Sequence, residues 1–281
     1  MKLKTMQWFM AVMLLLSAHA AQALITCSIS SPGFTAGYPV NSPTLIITQT
    51  NFSITCSRGL TTDPTTTTYI VKASNGLTPA GGFNRGQSGS NFINYDVFRE
   101  STCSTKWQGT NTIPISAATI TMVGLTPTTI TQNYWGCIPA LQNPAAGTYT
   151  DTVTITPTYS SGVVGAASTF PVTIISPPTC TISPGPGNVN FTYTSFSTSA
   201  ATANTTFGLT CSNSIPYTMA VSPASGTLVG ISYTLTLPAS STGTGTLQTH
   251  TISGTAPGGQ AGTCATGTCS GAQLTTLTIT Y

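Results

Sequence analysis

Beyond residue 23, one histidine and four carboxylates carry all the acid–base chemistry this sequence offers: His250, Asp63, Asp96, Glu100 and Asp151. A nucleophilic triad would have to use His250, which sits in the threonine-rich run LQTHTIS. No Asp, Glu, Lys or Arg lies between Thr152 and Tyr281, so its acidic partner would have to come from Asp63, Asp96 or Asp151 in the other half. His250 reads instead as a solvent-facing strand residue. Asp96, Glu100 and Asp151 are formal candidates for the paired carboxylates of glycoside hydrolysis. Arg99 and Glu100, however, end the run NYDVFRE and read as a surface ion pair of little energetic weight. The segment GTCATGTCSG (262–271) resembles half a metal knuckle but has no second pair to complete four ligands, so a small disulfide loop is expected. The glycine runs lack the lysine and following helix of a phosphate loop. The expectation is a protein that is not an enzyme, with no metal and no cofactor.

Charge and compartment narrow the classes further. Lys2 and Lys4, the apolar run Trp8 to Leu16 and Ala21-Gln22-Ala23 read as a signal peptide over residues 1–23. The run is too short for the ~20 residues of a membrane span. The remaining chain has five basic side chains, Arg58, Lys72, Arg85, Arg99 and Lys106, against the four acids. Nucleic acid is excluded as a partner, because there is no basic stripe to release counterions. Disorder is excluded too, since disordered chains join low hydrophobicity to high charge. Low charge combined with abundant Thr, Val and Ile is hazardous in a free monomer with an open sheet edge, and suits a chain that works in an assembly.

The sequence is built twice over. Eight cysteines in an exported chain imply disulfides, and they divide evenly: Cys27, Cys56, Cys103 and Cys137, then Cys180, Cys211, Cys264 and Cys269. Four cysteines per half allow three pairings each. The matching contexts TCSIS/TCTIS and ITCS/LTCS favour Cys27–Cys56 and Cys180–Cys211, which leaves Cys103 with Cys137 and Cys264 with Cys269. Phe52 and Phe207 each lie four residues before the second cysteine. YIVKAS (69–74) then matches YTMAVS (217–222), and FINYDVF (92–98) matches GISYTLT (230–236). A threonine ladder closes each copy: TYTDTVTITPTY (148–159) and QLTTLTITY (273–281). Alternation at period two, with 19 prolines and 27 glycines as punctuation and no helical periodicity, predicts an all-β protein. Two tandem immunoglobulin-like antiparallel β-sandwich domains are expected, at 24–159 and 179–281, joined by a linker over 160–178. Residues 169–175 (TFPVTII) belong either to the first sheet or to the second domain, and their place directly after the first ladder favours the first. Nothing follows the second ladder, so the second sandwich is expected to lack its last strand and to offer Leu277, Ile279 and Tyr281 as a strand-accepting edge.

Large apolar residues in loop contexts supply a second candidate surface. These are Phe83 in AGGFNRG, Met122, Val123 and Leu125 in TMVGLTPT, and Trp135, Ile138 and Leu141 in NYWGCIPALQNP. Apolar loop tips flanked by Gly and Pro form a binding patch where they are exposed together.

The cysteine spacing, NYDVFRE with its downstream Trp107-Gln108-Gly109, and AAGTYTDTVTITPTY resemble the spore coat protein U domain family. The second half keeps the cysteine pair, ISYTLTLP and LTTLTITY but lacks the GTYxD lead-in and the Trp-Gly element. Many members of that family look like subunits of archaic chaperone–usher pili, in which each sandwich lacks its last strand. The resemblance therefore implies a periplasmic chaperone, an outer-membrane usher and the N-terminal donor strand of a neighbouring pilus subunit as partners. It also implies passage through the periplasm to the cell surface. Only Leu24-Ile25-Thr26 would precede Cys27 after signal removal, too little for a donor segment at about 3.3 Å per residue. A chain that accepts a strand without donating one is expected at the pilus tip. There it would be an adhesin meeting an abiotic or host surface through apolar loops and promoting biofilm formation. The alternative is a structural coat protein of a spore or cell surface.

Overall fold

A computed structural model of the chain describes residues 24–160, 162–264 and 267–281. The expected signal peptide, residues 1–23, lies outside the described residues. The described chain is all β. The first eleven strands are β1 (Ile25–Ser30), β2 (Phe34–Gly37), β3 (Ile46–Arg58), β4 (Thr66–Ala73), β5 (Asn84–Ser88), β6 (Asn91–Phe98), β7 (Ile113–Thr121), β8 (Thr128–Ile138), β9 (Gly147–Tyr159), β10 (Val163–Val164) and β11 (Ser168–Ser176). They form one network in the order β10-β1-β3-β8-β6-β5-β9-β11-β2, with β4 pairing both β7 and β9. The network folds over on itself through the β5–β6 hairpin. Alternation puts Phe52 and Ile54 of β3 and Tyr134 of β8 on an inner face opposite Val153 and Ile155 of β9 and Phe170 of β11. Tyr134 meets Phe170 across the layers at 5.2 Å between ring centroids, and Trp107 stacks on Phe52 at 5.2 Å. All six are fully buried, as is Trp107.

The remaining strands are β12 (Cys180–Ile182), β13 (Val189–Thr194), β14 (Ala201–Cys211), β15 (Pro216–Ser222), β16 (Ser225–Leu228), β17 (Ile231–Thr236), β18 (Ser240–Thr242), β19 (Gln248–Ala256), β20 (Thr268–Gln273) and β21 (Thr276–Thr280). Their sheets run β12-β14-β19-β17-β16, β13-β20 and β18-β15-β21. A second buried cluster, from Val189 to Cys269, shares no residue with the first. Between the halves, Asn41 Nδ2 donates to the Gly245 carbonyl at 2.6 Å and Asn143 Nδ2 to that of Thr244 at 3.0 Å.

The duplication holds at the level of register. Cys27 pairs with Cys56 across β1–β3, and Cys180 with Cys211 across β12–β14. Phe52 lies opposite Gln132, Phe207 opposite His250, and four residues along each ladder stand Thr48–Gly136 and Ala203–Gly254. A β-carbon on Gly136 would strike the Phe34 ring, and one on Gly254 the Phe191 ring. Each glycine is thus the seat of the aromatic that opens β2 or β13. Val97 lies opposite Gly136 as Leu235 lies opposite Gly254, so the FINYDVF/GISYTLT match is exact to the residue.

Candidate functional site

The position on which the two halves differ is the outer edge of the closing threonine ladder. In the first half β11 occupies it. Residues 168–176 run antiparallel to 147–155 of β9, and parallel to β2 on their other side. The run STFPVTIIS explains this placement. Phe170, Val172 and Ile174 alternate with Thr169, Pro171 and Thr173, and all three apolar side chains are fully buried while the partners face outward or to the flank. Gly33, at φ +74°, lets the chain entering β2 pass against the Pro171 carbonyl, where any β-carbon would collide.

In the second half no described strand takes that place. β21 pairs with β15 in the register its counterpart uses: Val221 faces Leu277 as Ala73 faces Ile155. Its other edge is free among the described residues. Upstream, β20 pairs directly with β13, Val189 to Thr194 against Gln273 to Thr268. In the first half the corresponding elements, β9 and β2, are held one strand apart by β11. Burial records the difference. Ile155 is fully buried, whereas Leu277 is half-buried, as is Ile279, and Tyr281 is 56% exposed. A narrow apolar cleft lies beneath the β13–β20 pair, between Phe191, Tyr193, Leu228, Ile231, Tyr233 and Cys269. Leu274, at the break between β20 and β21, is 75% exposed.

Four disulfides are formed: Cys27–Cys56, Cys103–Cys137, Cys180–Cys211 and Cys264–Cys269. None crosses between the halves. Two join the first strand of each half to the long strand it pairs with, β1 to β3 and β12 to β14.

The apolar loop candidates do not form one surface. Val123 and Leu125 project from the β7–β8 loop, well exposed. Met122 does not: it is 2% exposed, because its N–H donates to the Thr65 carbonyl at 2.7 Å and this extension of the β4–β7 pair turns the side chain into the core. Ile138 is likewise fully buried, since it ends β8 opposite Ile46 on the inner face. The exposure expected of both is corrected by these positions. Leu141 is exposed but lies at the end facing the second half, its N–H donating to the Ser42 carbonyl. Phe83 and Trp135 are half-buried on the flanks of the first half.

Sequence reasoning missed the residues that accompany Val123 and Leu125. Leu24, Leu60 and Val164 are exposed at the same end, where β3 finishes and β1 begins. Arg58 organises this end. Its guanidinium donates twice to the Gly124 carbonyl, at 2.9 and 2.6 Å, and to the Asp63 carbonyl at 2.9 Å. Asp63 Oδ2 in turn accepts the Leu60 N–H at 2.7 Å. A buried cation thus ties the loop carrying Leu60 to the loop carrying Val123 and Leu125. The signal available was Arg58 directly after ITCS, a charge at the end of a strand whose other long residues face the core.

The titratable groups serve structure. Tyr95 donates to Asp151 Oδ2 at 2.6 Å in the core, and burial raises the phenol's pKa far above its usual value. Asp96 is 2% exposed and pairs with Lys106 at 2.5 Å; burial raises its pKa, opposed by that lysine. Arg99 and Glu100 do not form the ion pair expected of them. Glu100 Oε1 instead accepts from the N–H and hydroxyl of Ser104 and the N–H of Thr105. His250 is half-buried rather than solvent-facing, its Nε2 2.8 Å from the Tyr217 hydroxyl. Among the described residues no group of three or more His, Cys, Asp or Glu is placed to hold a metal ion.

The Spore Coat Protein U domain family model matches residues 12–156 and 166–248. No curated protein sequence matches the chain. Among solved structures, the CsuC–CsuE chaperone–tip adhesion subunit pre-assembly complex of Acinetobacter baumannii archaic Csu pili is 14% identical, covering 90% of this chain and 100% of that chain at a TM-score of 0.43. The CupB6 tip adhesin of Pseudomonas aeruginosa is 9% identical, covering 90% and 94% at 0.38. The CooA pilin subunit of enterotoxigenic Escherichia coli is 12% identical, covering 54% and 98% at 0.33. The structural likenesses are remote, but the family match spans most of the sequence and enters both halves: the chain belongs to the Spore Coat Protein U domain family.

Proposed function

We propose that the chain is a non-enzymatic subunit of a chaperone–usher pilus and serves as its tip adhesin. In this reading it is built from two tandem immunoglobulin-like sandwiches, one over 24–176 and one over 179–281. The observation that carries the proposal is the ladder edge, occupied by β11 in the first half and by no described strand in the second. A periplasmic chaperone, and afterwards the N-terminal donor strand of a neighbouring subunit at the outer-membrane usher, would fill that edge. The donor would place apolar side chains at alternate positions as Phe170, Val172 and Ile174 do, the strand-addition mode of recognition. The first sandwich needs no donor, which leaves it free to face outward. Its exposed end, with Leu24, Leu60, Val123, Leu125 and Val164, is the surface we assign to attachment on abiotic or host material and so to biofilm formation.

The test is expression of residues 177–281 alone and fused to a second copy of STFPVTIIS. The fused form should unfold cooperatively and resist protease, and the bare form should not. Cooperative folding of the bare form as a soluble monomer removes the donor-strand reading. It would favour the structural coat protein that the family description names. Adhesion is tested separately with a Val123→Ser, Leu125→Ser double variant, which should lose surface attachment while keeping its fold.

A further inference from the structure

A groove of about 630 Å³ runs along the flank of the first half, between the start of β7 and the outer edge of β8. Its origin is topological. β6 stops at Phe98 opposite Trp135, so residues 128–134 of β8 have no described strand beyond them on that side. β7 belongs to the facing layer and pairs with β4 alone. The space left between them suits a small ligand, for which pockets of roughly 300–1,000 Å³ are usual.

The lining is chemically specific. Trp135 is half-buried in the wall, and Ile115 stands 77% exposed at the rim. Gln132 Nε2 donates to the Tyr69 hydroxyl at 3.0 Å, which leaves the Gln132 carbonyl oxygen and the neighbouring Asn133 amide for other partners. Arg99 forms part of the same wall. Its Nε is buried with no hydrogen-bond partner, and the one ion pair among the described residues is Lys106 with Asp96. Glu100 lines the same groove, but its Oε1 is held by Ser104 and Thr105 and it makes no ion pair with Arg99. A half-buried guanidinium with no ion-pair partner can take a planar carboxylate through two parallel hydrogen bonds.

We propose that this groove binds a hexuronate residue of an acidic glycan, its carboxylate on Arg99 and its pyranose ring against Trp135. Gln132 and Asn133 take the ring hydroxyls. The site is separate from the strand-accepting edge and from the Val123/Leu125 end, so it stands or falls independently of the pilus reading.

The experiment is a titration of the full mature chain with digalacturonate, followed by tryptophan fluorescence. Trp107 is fully buried, so a ligand-dependent signal reports Trp135. A saturable change is expected with digalacturonate and none with neutral digalactose at equal concentration. Arg99→Gln should weaken binding at least tenfold, with the near-ultraviolet circular dichroism of Trp107 unchanged. Should that variant lose its fold, Arg99→Lys, which keeps the charge without the planar fork, should still bind several-fold more weakly than the parent. The proposal is overturned by no saturable response, by equal binding of digalactose, or by full affinity in a folded Arg99 variant.

Discussion

The two halves of this chain use one register and differ at the outer edge of the closing ladder, which β11 occupies in the first and no described strand occupies in the second. Up to the closing ladder they match at fixed points: Cys27–Cys56 with Cys180–Cys211, Phe52 and Phe207 directly opposite Gln132 and His250, Phe34 and Phe191 each resting on a glycine. At the ladder they part. β11 separates β9 from β2 by one strand, and without such a strand β20 closes onto β13. The lesson is that the inner residues of the closing ladder are fully buried where a strand pairs on both of its sides. Ile155 and Leu277 face matching neighbours in β4 and β15, yet only Ile155 is fully buried, with Ser168 of β11 opposite it and Phe170 opposite the next inward residue, Val153.

The largest expected effect therefore comes from spoiling β11. Val172 is fully buried, and Val172→Asp would place an unpaired carboxylate in the core, a change of the kind that exceeds about 4–5 kcal/mol. Both tryptophans beyond residue 23, Trp107 and Trp135, lie in the first half, so urea unfolding followed by fluorescence reads this half alone. The variant should lose its fluorescence transition altogether. A transition shifted by less than 1 kcal/mol would mean that β11 is dispensable and that the contrast between the halves is superficial.

A smaller effect is expected from the disulfides, and it tests whether the halves are separate units. Cys180→Ser opens the bridge across β12 and β14, and removing a bridge from a small secreted domain costs about 2–5 kcal/mol. That loss should appear in the tyrosine and amide signals of the second half, with the tryptophan transition unmoved. A parallel fall in the tryptophan transition would show that the two cores unfold together.

A further effect is expected when a strand is offered to the edge of β21 that is free among the described residues. A peptide of sequence STFPVTIIS at a hundred times its dissociation constant should stabilise the second half by about 2.7 kcal/mol. Hydrogen exchange should then show new protection in β21 and a changed pattern in β13 and β20, because the inserted strand must part them. Protection gained at β21 with β13 and β20 unaltered would place the peptide outside the ladder slot. In the peptide-bound form Ile279→Ala should become more costly than in the free chain, since a half-buried side chain would have become a sealed one.

Much of this was legible in the residues, and what was not has a common cause. The ladder register follows from alternation, with Tyr69 opposite Tyr159 and Thr218 opposite Thr280 one rung from the matching pair. Cys27–Cys56 and Cys180–Cys211 followed from repeated contexts, and the other two bridges by elimination. The pairing of TFPVTII with the first ladder was legible from its place directly after that ladder. Met122 and Ile138 were misread because a Gly- or Pro-flanked apolar residue looks alike whether it caps a strand facing in or a loop facing out. Their orientation depends on ladders formed with Thr65 and Ile46, distant in sequence. Arg58's bridge between two loops, Gly136 under Phe34 and the β13–β20 closure are all long-range appositions. No local pattern encodes them.

The smallest effect is a pH dependence confined to the second half. From Thr152 onward the chain has no Asp, Glu, Lys or Arg, so His250 is the one side chain there that titrates between pH 5 and 8. Burial beside Tyr217 and Phe207 lowers its pKa below the ordinary histidine value. A base with a depressed folded-state pKa binds more protons when unfolded, so stability rises with pH through the window below about 6.5. The second half should be fully stable at pH 7.5 and lose stability as the pH falls through 6.5 toward the folded-state pKa. The first half has Gln132 at the equivalent rung and lacks this group. His250→Gln makes the two halves alike at that position, and thermal unfolding of the second half between pH 7.5 and 5.5 should then show no slope. A slope that survives the substitution would have to arise from the first half's carboxylates, and would tie the two cores together energetically.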